Sequence, residues 1–124
     1  MMGGSVIKLK SLAFAVRIVK LQKFLIKQHG EYELSRQLLR SGTAVGAMIS
    51  EAEHAESKAD FIHKMAIGQK EINESLYWLE LLKETKYLTE DEYFSMYSDA
   101  EELLKILTKI IKTAKNKPPQ QSLK

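Results

Sequence analysis

The chain of 124 residues contains no cysteine, which removes disulfides, thiolate metal sites and cysteine nucleophiles. Its two prolines stand together at Pro118 and Pro119, so no proline breaks a helix before the tail. No apolar run approaches the ~20 residues that span a bilayer. The first residues lead into Lys8 and Lys10 without the apolar stretch and cleavage site of a secretory signal. There is no glycine-rich phosphate loop, because Gly42 and Gly46 lie inside a helical pattern with no strand before them. The order of Ser, His and Asp residues suggests no nucleophile site. What remains is a single domain with one core, expected in the cytoplasm, with no cofactor and no catalytic residue.

Charge of one sign is also missing from long stretches. Residues 1–30 hold six basic residues and no acid, while residues 88–102 hold six acids and no base. Residues 103–124 hold six lysines and no acid. The net charge of +3 is therefore the remainder of strong opposite blocks. Such asymmetry implies a polyanionic partner or charge-matched neighbouring segments.

The apolar spacing is helical. Phe14, Ile18, Leu21 and Leu25 step by four, three and four residues. Phe61, Met65, Ile72, Leu76 and Leu79 form a second stripe, and Tyr93, Tyr97, Ala100, Leu104, Leu107 and Ile111 a third. Gly30 follows His29 as a helix-closing glycine. Ser57 to Asp60 resembles a capping box, and Thr89-Glu-Asp-Glu92 has its full form. These signals predict helices near 8–29, 33–55, 58–86 and 90–115, then a mobile tail over 116–124. Short connections make successive helices antiparallel, giving an all-α, up-down four-helix bundle.

There is more apolar and small-residue surface than one bundle needs. Leu34, Leu38, Val45, Ile49 and Ala52 of the second helix point to the core. Its other side carries Thr43, Ala44, Gly46 and Ala47, edged by Arg40 and Glu51, where a solvated face would be rich in Lys and Glu. The third helix has a second stripe of Ile67, Trp78, Leu81 and Leu82, and the first another of Leu12, Val19 and Ile26. These residues either flank a wide core or form a subunit interface, since monomers rarely expose large apolar patches.

The basic residues offer two opposed readings. Lys10, Arg17, Lys20, Lys23 and Lys27 occupy an arc of roughly 140° on the first helix. Lys105, Lys109 and Lys112 lie opposite the core side of the fourth. Such residues can neutralise phosphates with salt-dependent, sequence-poor affinity. They can equally pair with Asp99, Glu101 and Glu102, which antiparallel packing is expected to bring beside Lys20, Lys23 and Lys27. At the other end, Lys8 and Lys10 are expected near Lys109, Lys112 and Lys115, with no acid from either segment. The candidate nucleic-acid residues are thus Lys8, Lys10, Arg17, Lys105, Lys109, Lys112 and Lys115.

Glu51-x-x-His54 and Asp60-x-x-His63 have the spacing of carboxylate-bridged di-iron bundles. Such a site needs those motifs mid-helix and a carboxylate from each remaining helix. Here both flank one turn, and the first helix has no acid, so no metal site is expected.

The segment Gln37-Leu-Leu-Arg40-Ser-Gly-Thr-Ala-Val-Gly-Ala-Met-Ile-Ser-Glu51-Ala, then Ser57-Lys-Ala-Asp60-Phe61-Ile-His63-Lys64-Met, then Lys70-Glu71-Ile-Asn-Glu74-Ser-Leu-Tyr77-Trp78-Leu79-Glu80-Leu81-Leu82 carries a family pattern. It resembles the bacterial four helix bundle protein family, also called the 23S rRNA intervening-sequence protein family, itself related to the accessory protein of diversity-generating retroelements. The resemblance implies an antiparallel four-helix bundle, commonly a homopentameric ring, with a basic surface suspected of binding nucleic acid. It implies no catalytic site. Arg40 and Glu51 match characteristic motif positions, and Met48 stands where members often have Asn. The expected partners are further copies of the chain and RNA or a nucleoprotein complex, with no membrane. The expected interface is Arg40, Thr43, Ala44, Gly46, Ala47, Glu51, Ile67, Trp78 and Leu81. A protein–protein scaffold or regulator without nucleic acid is the alternative.

Overall fold

The structure, a computed structural model, describes residues 2–117, with side chains from Val6 onward. Its helices are α1 (Met2–His29), α2 (Glu33–Ala52), α3 (Lys58–Glu84) and α4 (Glu90–Asn116). Each packs on the next, and α4 returns to α1, closing an antiparallel four-helix bundle. The expected tail beyond Lys117 lies outside the described residues. Asn116, expected in that tail, is the last residue of α4.

Local chemistry sets most helix ends. Gly30 takes φ 62°, and its N–H donates to the Ile26 carbonyl at 2.9 Å, closing α1 in the left-handed conformation that favours glycine. α4 begins with the complete box. The Glu92 N–H donates to Thr89 Oγ1 at 3.1 Å, and the Thr89 N–H to Glu92 Oε1 at 2.8 Å. At α3 only half the box forms. Ser57 Oγ accepts from the Asp60 N–H at 3.0 Å, but the shorter Asp60 carboxylate accepts from the Glu56 N–H instead.

The boundaries differ from expectation at three further places. α1 begins at Met2 rather than near residue 8, despite Gly3 and Gly4, which are poor helix formers. α2 stops at Ala52, because the His54 and Ala55 N–H groups turn to carbonyls three residues back. α3 stops at Glu84, where Lys86 adopts φ 72°. The Lys86 N–H bonds Lys83 O at 3.0 Å and the Tyr87 N–H bonds Leu82 O at 2.9 Å, a Schellman closure with lysine in the glycine position.

The core follows the predicted stripes. Phe14, Ile18 and Leu25 of α1, Leu38, Val45 and Ile49 of α2, Met65, Ile72 and Leu79 of α3, and Ala100, Leu107 and Ile111 of α4 are all buried. Leu21, Leu34, Phe61, Leu76, Tyr97 and Leu104 are partly buried against that core. Leu82 is fully buried, so it leaves the second stripe of α3 and joins the core, as its helical phase with Leu79 and Ser75 allows.

Small residues set the helix spacing. A Cβ at Gly42 would lie 2.8 Å from Ile18 Cγ1, so α1 and α2 touch backbone to side chain there. On the other side of α2, Ser41 Oγ and Ser75 Oγ share a hydrogen bond of 2.8 Å in the buried seam with α3. Gly42→Ala forces Ile18, buried and branched at Cβ, to shift. We expect urea denaturation to show a net loss of about 1–2 kcal/mol, overpacking outweighing the gain in helix propensity. Lys86→Gly relieves the left-handed backbone and should raise stability by about 1 kcal/mol in the same assay.

Candidate functional site

The longest-range electrostatics of the chain run along two seams. In the α2–α3 seam, Arg40 reaches across to two carboxylates of α3. Its Nη2 lies 2.5 Å from Glu74 Oε2 and 3.2 Å from Glu71 Oε1, the latter without hydrogen-bond alignment. Trp78 Nε1 donates to the same Glu74 oxygen at 2.9 Å. These contacts hold the Glu74 carboxyl below its ordinary value, the Arg40 bond most and Trp78 next. Further along, Lys64 pairs with Glu51 at 3.0 Å, and its ammonium is held above its ordinary value chiefly by that bond. The two motif positions Arg40 and Glu51 therefore both tie α2 to α3.

In the α1–α4 seam, Arg17 donates to Asp99 at 2.6 Å and to Ser95 Oγ at 2.8 Å. Lys10 meets Glu102 at 3.1 Å, and Lys8 meets Glu53 of the segment after α2 at 3.0 Å. This differs from the expected register. The acids of α4 face the middle of α1, around Lys10 and Arg17, and not Lys20, Lys23 and Lys27. Asp99 and Glu102 stand nine and twelve residues into α4, so antiparallel packing sets them beside the middle of α1 rather than its end. All three pairs are exposed, and each contributes only about 0–1 kcal/mol. The seam also contains an open cleft of about 500 Å³ lined by Leu21, Phe24, Leu88 and Met96 together with Arg17 and Asp91.

The remaining candidate cations stand apart. Lys105, Lys109, Lys112 and Lys115 are exposed along the last three turns of α4 and have no acid within pairing distance among the described residues. Of seven candidate nucleic-acid residues, three are thus ion-paired at the bundle surface and four form one uncompensated face.

The candidate interface residues divide similarly. Arg40, Ala44, Ala47, Glu51, Ile67, Trp78 and Leu81 lie along the outer side of the α2–α3 pair, half-buried or exposed. Gly46 instead faces α1, where a Cβ would lie 3.5 Å from Ser11 Oγ. Thr43 turns its hydroxyl onto the Leu39 carbonyl at 2.7 Å. The His54 and His63 motifs do not form a ligand set. No three His, Asp or Glu side chains converge on a cation position among the described residues.

No curated protein matches the sequence. The family model described as 23S rRNA-intervening sequence protein matches residues 5–109. The chain belongs to that family. A crystal structure of a protein of unknown function from the S23 ribosomal protein family of Bacteroides thetaiotaomicron VPI-5482 is similar throughout. It is 54% identical, with a TM-score of 0.88, over 89% of this chain and 98% of that chain. The 23S rRNA-intervening sequence match takes in all four helices but ends at Lys109, so Lys112 and Lys115 lie past it. No helix among the described residues is long and apolar enough to cross a membrane.

One surface was only partly marked by the sequence reading, which had set Leu12 in a second stripe of the first helix with Val19 and Ile26. Val6, Leu9, Leu12 and Val16 of α1 are 44%, 69%, 62% and 45% exposed. Leu9, Leu12 and Val16 stand roughly opposite Ile7, Phe14 and Ile18, and Val6 lies about 100° around the helix from that core direction. The signal was present as an α1 that is apolar on two faces, of which Leu12 alone had been singled out.

The Glu74 cluster gives a direct test. A carboxyl depressed on folding contributes stability that is present above the unfolded value, about 4.3, and is lost as pH falls through the folded value. Thermal unfolding should therefore find wild type more stable than Glu74→Gln at pH 7. The gap should narrow as pH falls below about 4.

Proposed function

We propose that this protein is a non-enzymatic, ring-forming bundle, five-subunit by family resemblance, that serves as an RNA- or nucleoprotein-associated accessory factor. The observation that carries the reading is the uncompensated face of Lys105, Lys109, Lys112 and Lys115. Free lysines on successive turns meet the spacing of phosphates without reading bases, so affinity is electrostatic and sequence-poor. Lys10 adds to this face from α1, because its exposed ion pair with Glu102 is weak enough to exchange for phosphate, whereas Lys8 lies on the other flank of α1, against Glu53. Repetition of the patch around a ring multiplies modest affinity through effective concentration. Aromatic stacking contributes little, since Tyr77 and Trp78 form their own edge-to-face pair on α3, away from α4. The family description, which refers to an intervening sequence of 23S rRNA, is consistent with an RNA partner.

Structured RNA titrated at two salt concentrations tests the reading. Four phosphate contacts imply a loss of about 100-fold in affinity between 50 and 200 mM salt. Replacing Lys105, Lys109 and Lys112 together by Glu should abolish binding with helicity unchanged by circular dichroism. Absence of binding at low salt by the wild-type chain would instead favour a protein–protein scaffold.

A further inference from the structure

We propose that the open cleft between α1 and α4 docks an amphipathic helix of another protein, one with glutamate along one edge of its apolar stripe and lysine along the other. The inference depends neither on RNA binding nor on assembly of this chain with itself.

The cleft is held open at both ends. Its floor is formed by Leu88 and Met96, both buried, with Leu21 half-buried beside them. Leu88 is fixed by the turn after α3, where its N–H joins that of Tyr87 on the Leu82 carbonyl, at 3.3 and 2.9 Å. At one end stands Phe24 of α1, with 39% of its surface exposed. Its ring is braced from behind, because His29 lies edge-on to Phe24 at 5.7 Å and to Tyr87 at 5.3 Å. At the other end Arg17 is fixed by Asp99 at 2.6 Å and by Ser95 Oγ at 2.8 Å. From Arg17 to Phe24 the trough runs about 10 Å along α1, and its walls are in place before a ligand arrives.

Its two lips carry opposite charges that do not meet. Lys20 stands on the α1 lip and Asp91 on the α4 lip, both exposed. Neither has an ion-pair partner among the described residues. Lys27, seven residues beyond Lys20 and also exposed, continues the basic lip at nearly the same helical phase. An apolar floor therefore lies between one basic and one acidic edge.

That arrangement selects its occupant. Small-molecule sites enclose most of their ligand, whereas this trough is open to solvent and suits a side chain carried on a larger body. A nucleic acid would bring phosphates against Asp91 and Glu92. An extended peptide needs a free backbone edge, and the backbone groups of two helices are already bonded within them. A helix arrives with its own backbone bonded. Its apolar residues at i and i+4 can seat on Phe24 and Met96, whose flexible thioether adapts to their shape. Its charged edges then fall at the lips, where two edges of one sign would leave one lip facing its like.

Three synthetic helical peptides of equal length and identical leucine stripe test the proposal. One carries glutamate on one edge and lysine on the other, the second lysine on both, and the third glutamate on both. Fluorescence anisotropy with the full-length chain should find the mixed peptide bound about tenfold more tightly than the other two. Lys20→Glu makes both lips acidic and should turn the preference to the all-lysine peptide. Asp91→Lys makes both basic and should turn it to the all-glutamate peptide. The two changes together should restore the mixed peptide, because a helix reversed in the trough meets both lips again. Phe24→Ser should weaken all three peptides, with helicity unchanged by circular dichroism. Equal binding of the three peptides, a preference that ignores these exchanges, or no binding by wild type overturns the proposal. So does a change of oligomer size in native mass spectrometry on Lys20→Glu or Asp91→Lys, which would make the cleft a contact between copies. Peptide binding that persists when Lys105, Lys109 and Lys112 are replaced by Glu supports this inference whatever becomes of the RNA reading.

Discussion

The contact between Gly42 and Ile18 governs how the bundle is arranged. With no Cβ in the way, α2 settles against α1 closely enough that a single added methyl would overlap Ile18 at 2.8 Å. On its other flank, α2 meets α3 through the Ser41–Ser75 hydrogen bond and the Gly68 backbone, again with small groups. The chain is thus tightest where α2 sits between its neighbours and loosest where α4 returns to α1. That asymmetry fixes the rotation of α1. Ile7, Phe14, Ile18 and Leu25 turn inward, and the remaining apolar residues of the helix have nowhere to go but outward.

Much of this was legible beforehand because the signals were local. A glycine after the last periodic residue of α1, and a Thr-x-x-Glu before α4, each satisfy backbone groups within a few residues, so sequence alone exposes them. Other helix ends were not legible. Glu31 caps α2 from one position before the usual site, its carboxylate accepting from the Leu34 and Ser35 N–H groups at 3.0 and 2.8 Å. Nothing distinguishes such a glutamate from a solvated one until its burial is known. Lys86 closes α3 in a conformation that costs a lysine about 1–2 kcal/mol, a choice propensity argues against.

The charged surface shows why pairing cannot be read from block composition. Opposite blocks in α1 and α4 do meet, but which residues pair depends on axial register, which is set by how the core side chains of the two helices interlock. Asp99 and Glu102 stand nine and twelve residues into α4, about 14 and 18 Å from its start. That depth gives Asp99 to Arg17 and Glu102 to Lys10. It also leaves Lys23 and Lys27 of α1 and the last lysines of α4 without acid partners among the described residues. Arg40 and Glu51 behave differently. Their partners lie on the adjacent helix of a tight seam, so the motif positions singled out by family resemblance act first as braces between α2 and α3.

The braces and the unpaired charges bear on one another. An Arg40 locked onto Glu71 and Glu74 is already neutralised and contributes little to recruiting an anion, whereas exposed lysines without acids retain their full field. The surface therefore separates into a neutral, ordered groove on α2 and α3, an apolar and then basic stripe on α1, and a basic face at the end of α4. A solvated monomer has no use for an apolar stripe with Leu9 and Leu12 more than half exposed, because water is a poor solvent for contiguous hydrocarbon. Covering that stripe with a neighbour would remove the least favourable surface of the chain. The α4 lysines lie on a different helix from that stripe, so the apolar surface and the main basic face are separate features of one small bundle.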